Sequence, residues 1–275
     1  MTSPETTGSR SAAASYTPPA AGSRFVWHDL MTTDPAASTA FFRALLGWET
    51  STVPIEGMGE YTMAGPAGAP QLGGIVPLDA AHGLPSHWMA YVSVPDVDAA
   101  CAQVAALGGV TCVAPTDIPG VGRFAVVEDP SGAYFSPFRS STTPDDAPDA
   151  PPALGGVAWM ELMTSDPEGM LGFYAALCGW STGSMNMGEQ GTYWLFRRGE
   201  AFVAGMMELP PERMGRPYWM PYFAVASADD AAARITALGG TLVAPVMPVQ
   251  DWGRMAIGAD PAGAVFGVLE NLQPM

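Results

Sequence analysis

Two acids and two histidines are the side chains around which chemistry would be built in this chain. Asp29 stands in Trp27-His28-Asp29-Leu30-Met31, and Glu161 stands in Trp159-Met160-Glu161-Leu162-Met163. Successive strand side chains point to opposite faces, so each acid shares a face with a Trp and a Met. Where that face lines a pocket, desolvation raises the acid's pKa and suits Asp29 or Glu161 to general acid or base work. The competing reading is a structural acid bonded to backbone, to a Tyr, or to Arg123 or Arg254. No nucleophile or electrophile accompanies the acids in sequence. His28 and His87 lack ligand spacing, and a lone His of that kind reads as a packed or strand-edge residue.

The acids sit inside a duplication. Residues 25–48 and 157–180 agree at eleven of 24 positions, and both segments end in Gly-Trp (Gly47-Trp48, Gly179-Trp180). A second block, from Trp88-Met89 to Leu107-Gly108-Gly109, answers to Trp219-Met220 through Leu238-Gly239-Gly240. A repeat this long is two copies of a domain. The expected organisation is a disordered tail (1–24), a first domain (25–139), an acidic Pro-rich linker (140–154) and a second domain (155–271), each domain with room for its own core.

Within each copy the patterning alternates strand and helix. Phe25–Met31 reads as a half-buried strand. Thr33 or Asp34 caps a helix that opens on Pro35, carries Phe41, Phe42, Leu45 and Leu46 on one stripe, and stops at Gly47. Strands follow at Glu60–Ala64 and Leu72–Leu78. The order then recurs: strand His87–Val94, helix Asp96–Leu107, and strands Val110–Ala114, Arg123–Glu128 and Ala133–Phe138. Asp129-Pro130-Ser131-Gly132 joins the last two as a tight turn. The expected class is α+β, a tandem duplication of paired βαβββ modules.

Bulk properties remove several functions. Net charge is −16 with eleven basic residues, which disfavours nucleic acid and anionic membranes as partners. Apolar runs break well before about 18 residues, so no membrane span is expected. Residues 1–24 lack a basic start followed by an apolar run, so no secretory signal is expected. Three cysteines without metal-like spacing, two of them on helical patterns (Cys101, Cys178), point to a reducing cytoplasm.

The features Asp34…Phe41-Phe42…Leu46-Gly47-Trp48, Val94…Asp96-Val97-Asp98-Ala99, Leu107-Gly108-Gly109 and Asp129-Pro130-Ser131-Gly132, with their counterparts, resemble the vicinal-oxygen-chelate superfamily of glyoxalases, bleomycin-resistance proteins and extradiol dioxygenases. The resemblance covers nearly all of 25–139 and 155–271. It implies that each pair of modules forms an open curved sheet around a concave cavity. It also implies a divalent metal there, held by His, Gln or Glu on a module's first strand and Glu on its last, to bind two neighbouring substrate oxygens.

In that frame the first-strand ligand positions fall on Trp27 and Met89, with Trp159 and Met220 as counterparts. The last-strand positions fall on Ser136 and Gly267. His28 is one residue off and His87 two residues early, so a metal site from these two needs a register slip and a borrowed carboxylate such as Asp29 or Glu128. No metal is therefore expected, with a divalent ion at His28 and His87 as the alternative. The inward positions instead carry Trp27, Met31, Met89, Tyr91, Trp159, Met163, Met220 and Tyr222 as a ligand-binding lining. Eleven methionines lie in 155–271 against four in 25–139, so the two cavities are expected to have diverged, with the second more apolar. The expected function is to hold a small apolar or aromatic molecule, as a monomer or homodimer. The alternative is a lyase, isomerase or dioxygenase using Asp29 and Glu161 or the non-standard metal site.

Overall fold

The computed structural model describes residues 16–20, 22–55, 59–142, 152–188, 191–209, 215–250 and 252–271. The first half runs β1 (Phe25–Thr32), α1 (Pro35–Leu46), β2 (Trp48–Ile55), β3 (Gly59–Pro66), β4 (Gly73–Pro77), β5 (His87–Ser93), α2 (Val97–Ala106), β6 (Val110–Ile118), β7 (Gly122–Glu128) and β8 (Tyr134–Ser140). The second repeats it as β9 (Val157–Thr164), α3 (Pro167–Cys178), β10 (Ser181–Asn186), β11 (Thr192–Arg198), β12 (Ala201–Glu208), β13 (Tyr218–Ala224), α4 (Ala228–Ala237), β14 (Thr241–Val249), β15 (Gly253–Ala259) and β16 (Val265–Asn271).

Local chemistry sets these boundaries. Asp34 accepts from the Ala37 N–H at 3.0 Å, Pro35 fills the first turn, and Gly47 ends α1 in a left-handed cap at φ 70°. Asp166, Pro167 and Gly179 repeat the device on α3. The strand β2 is absent from the sequence reading. Its run Trp48-Glu49-Thr50-Ser51-Thr52 is polar and mostly exposed, as suits a sheet edge, and gives no alternating apolar signal.

Each half is one open, eight-stranded sheet. The order is β2-β3-β4-β1-β5-β8-β7-β6, and the second sheet matches it strand for strand. The two modules of a half meet at the antiparallel pair β1/β5 or β9/β13. Both first strands bulge at the same place: Phe25 pairs with Val92 and Trp27 with Tyr91, Val157 with Phe223 and Trp159 with Tyr222. The extra residue lets Phe25 and Trp27 face opposite sides of the sheet.

The cores cross the boundary between the two halves. Phe41, Phe42 and Leu45 of α1 pack in one cluster with Phe223, Ile235 and Phe266 of the second half. Val97, Cys101 and Val104 of α2 pack in the other with Met170, Phe173 and Leu177. The helices therefore lie between the convex faces of the two sheets, and each half completes the other's core. Reciprocal bonds repeat this symmetry. The Trp48 indole N–H donates to Gly155 O and the Trp180 indole N–H to Ser23 O, both at 2.8 Å.

Ser23 belongs to the stretch read as a disordered tail, and for residues 22–24 that reading is corrected. Ser23 N–H donates to Cys178 O at 2.7 Å, and Arg198 Nε donates to Gly22 O at 3.0 Å. Tyr16 also donates to Leu177 O at 2.7 Å. The buried carbonyls at the end of α3 need donors, and this segment supplies them. Residues 1–15 and most of the linker, 143–151, lie outside the described residues. Among the described residues, no helix is long and apolar enough to cross a membrane.

Candidate functional site

The concave faces of the two sheets line about 2140 Å³ of cavity space, with a largely apolar lining. Cross-strand register places the expected residues there. Trp27 pairs with Tyr91, Asp29 with Met89, Trp159 with Tyr222 and Glu161 with Met220. Trp27, Met31, Met89, Tyr91, Trp159 and Tyr222 line the cavities. Met163 and Met220 do not; they are buried beneath the lining.

Each acid is clamped by tyrosines. Asp29 Oδ2 accepts from Tyr91 OH at 2.8 Å, and Oδ1 accepts from Trp27 Nε1 at 2.9 Å and from Tyr61 OH. The Gly74 N–H donates to the same carboxylate. Glu161 Oε2 accepts from Tyr193 OH and Oε1 from Tyr222 OH, each at 2.9 Å. The Trp159 indole donates at 2.8 Å to the Tyr193 hydroxyl. Burial pushes both carboxyls above the usual range, against the pull of these hydrogen bonds. The two differ in saturation. Asp29 has four donors on two oxygens, whereas Glu161 has two among the described residues and keeps acceptor capacity.

Tyr61 and Tyr193 escaped the sequence reading. They sit on the third strand of their modules and reach the acid across the sheet, a contact that no local pattern encodes. The signal was in the duplication: Tyr61 and Tyr193 occupy matching places at the same offset of 132 that relates Trp27 to Trp159. Glycine makes room for them. A Cβ at Gly205 would lie 1.8 Å from the Tyr193 hydroxyl, and one at Gly74 would lie 2.1 Å from the Tyr61 hydroxyl. Arg123 and Arg254, the other partners considered for the acids, pair instead with exposed carboxylates: Asp98 and Asp117, and Asp229.

The histidines do not come together. His28 faces the opposite side of the sheet from Trp27 and Asp29, with Nδ1 3.2 Å from Leu72 O and Nε2 buried without a partner among the described residues. Burial pulls its pKa down to about 4. His87 pairs with Met31 at the strand start, with Nδ1 2.8 Å from Pro85 O and its ring 6.4 Å from that of Tyr134. Side-chain alternation puts the two imidazoles on opposite faces, so they cannot hold one ion. Of the carboxylates considered beside them, Glu128 pairs with Arg216 at 2.6 Å, and Asp29 is taken by its tyrosines.

The donor set at the superfamily's ligand positions does not fit a metal either. Trp27, Met89, Trp159, Met220 and Gly267 offer no hard donor. The Ser136 hydroxyl is buried and donates to Ala125 O at 2.7 Å. Among the described residues, no group of three His, Cys, Asp or Glu side chains converges at metal-binding distance.

Comparison with known proteins agrees with the fold and its duplication. The family model described as Glyoxalase/Bleomycin resistance protein/Dioxygenase superfamily matches residues 24–136, and that described as Glyoxalase-like domain matches 159–269. "Putative glyoxylase CFP32" of Mycobacterium tuberculosis is 35% identical over 253 residues, covering 89% of this chain and 93% of that protein. "Anthracycline biosynthesis protein DauV" of Streptomyces sp. (strain C5) is 33% identical over 257 residues, covering 89% and 92%. The crystal structure of the Mn(II)-bound glyoxalase from Novosphingobium aromaticivorans superposes with a TM-score of 0.61 at 17% identity, covering 91% of this chain and 84% of that one. Strand order, duplicated modules and full-length relatives thus agree, and the chain belongs to the glyoxalase/bleomycin resistance protein/dioxygenase superfamily.

Proposed function

We propose that this protein binds a small apolar or aromatic compound in its concave cavities and does so without a metal at the superfamily's ligand positions. The observation that carries this is the replacement of those positions by Trp27, Met89, Ser136, Trp159, Met220 and Gly267. Indole, phenol and thioether groups favour flat, polarizable ligands, and a few polar groups at the floor orient them. A relative named for anthracycline biosynthesis supports a polycyclic aromatic as the ligand class. The test is a thermal-shift panel of planar aromatic compounds against purified protein, with EDTA and with added Mn(II), Fe(II) or Zn(II). The expected result is a Tm increase that EDTA leaves unchanged. Stabilisation that requires added metal overturns the metal-free reading, and no stabilisation by any compound overturns the binding reading.

Glu161 favours a second reading, proton transfer on the bound compound. Its carboxyl is buried, raised in pKa and left with acceptor capacity, whereas Asp29 is saturated. Turnover that survives Glu161→Gln removes that role.

A further inference from the structure

The concave face of each sheet lines its own part of the cavity space, and the two parts are not equivalent. At four matching wall positions the first half carries Val53, Ile55, Val76 and Phe124, and the second carries Met185, Met187, Met207 and Met255. Stiff β-branched and aromatic groups thus become flexible thioethers, which fit their shape to a flat ligand. The mouths differ as well. At the tip of the β6–β7 hairpin stands Val121; its counterpart between β14 and β15 is Trp252.

Trp252 is 44% exposed, although exposure of an indole costs hydrophobic free energy. It borders the cavity and meets Phe202 edge-on, with ring centroids 5.7 Å apart, while the Arg197 guanidinium lies 4.3 Å over the Phe202 ring. The turn that presents Trp252 holds Gln250 at φ 41°, the only non-glycine residue at positive φ among the described residues. Its counterpart is Pro119, whose ring forbids that conformation. Gln250 Nε2 lies 3.4 Å from Met187 Sδ, so one residue of the turn spans the mouth to the opposite edge of the sheet. A positive-φ turn thus holds a half-exposed indole at the border of a methionine-lined cavity.

We propose that the second cavity is the principal site for a flat polycyclic aromatic ligand and that Trp252 stacks on that ligand at the mouth. This rests on the binding reading above and assigns it to one half. The experiment titrates the full chain with 1,4-dihydroxyanthraquinone, followed by probe fluorescence, and compares Trp252→Val, which copies the first half, with Val121→Ala. One tight site per chain is expected. Loss of a stacking partner weakens it about 10-fold in Trp252→Val, and Val121→Ala leaves its affinity within about twofold, well under the tenfold that one stacking interaction represents. Two equal sites, or undiminished affinity in Trp252→Val, overturn the assignment and leave the binding reading standing. Failure of the intact chain to bind the probe overturns the assignment together with the polycyclic ligand class, and the binding reading falls with them when the compound panel also gives no stabilisation.

Discussion

The Tyr174 hydroxyl donates to Asp129 Oδ2 at 2.8 Å, from a helix of the second half to a turn of the first. Asp129 Oδ1 meanwhile accepts from the N–H groups of Ser131, Gly132 and Ala133, closing its own turn. The matching aspartate, Asp260, is served by Ser38 of α1 at 2.5 Å. Tyr174 corresponds to Phe42, and Ser38 to Met170, so the two interfaces satisfy the same buried acid from different helix positions. Tyr174 also accepts from the Trp219 indole at 2.9 Å. Tyr174→Phe therefore strands a buried indole N–H and removes a donor from Asp129, at a cost of about 1–3 kcal/mol. Urea denaturation measures it; a change within a few tenths of a kcal/mol would show that water replaces the hydroxyl.

Much of this arrangement was legible in the sequence, for identifiable reasons. Alternation along one strand was enough to put Trp27, Asp29 and Met31 on one face, and the same argument brought Tyr91 to it. Periodicity names the apolar face of a helix but not what covers it. The spacing of Phe41 and Phe42 puts them on one apolar stripe, yet nothing in it says that Phe223 and Phe266 of the other half meet them. Tyr61 and Tyr193 were missed because their contact with the acids is set by sheet order, which brings β3 and β11 beside the central strands only through β4 and β12. Met163 and Met220 were placed on the correct strands, but burial depth depends on neighbours that one strand's pattern does not contain.

Glu161 yields a pH prediction. Burial raises its folded pKa above the ordinary 4.5, so the folded state keeps this proton to a higher pH than the unfolded chain does. Stability then falls as pH rises from the unfolded value through the folded one, and the cost is fully present above it. Glu161→Gln has nearly the same shape and cannot ionise. Relative to the parent, the variant is expected to gain stability between pH 4 and pH 8 in urea titrations. A difference that is constant across that range would place the folded pKa at its ordinary value.

Gly205 should tolerate no side chain. Its Cβ would overlap the Tyr193 hydroxyl and ring, so Gly205→Ala displaces the tyrosine that holds Glu161 and receives the Trp159 indole. Overpacking of this kind costs about 1–3 kcal/mol. In Gly205→Ala/Tyr193→Ala the clash has no partner, so the double variant loses less than the sum of the singles. Strict additivity in chemical denaturation would mean that the alanine is accommodated elsewhere.

His28 provides the sharpest test of a buried group without a chemical role. In the unfolded chain it titrates near the ordinary 6.5, whereas burial in the fold lowers this to about 4. Above pH 6.5 both states carry a neutral ring and the shift has no effect. As pH falls from 6.5 to 4 the unfolded chain gains a proton that the folded state refuses, so stability is lost across that window and levels off below it. The fall from 6.5 to about 4 corresponds to about 3 kcal/mol. His28→Met copies its counterpart Met160 and removes the titration, while Leu72 O keeps the backbone N–H of residue 28 as a donor at 3.1 Å. The variant is therefore expected to match the parent near pH 7.5 and to exceed it by up to about 3 kcal/mol near pH 4. Urea titrations at the two pH values measure this. Parallel losses in both proteins would show that His28 protonates in place, which requires water to reach the buried Nε2.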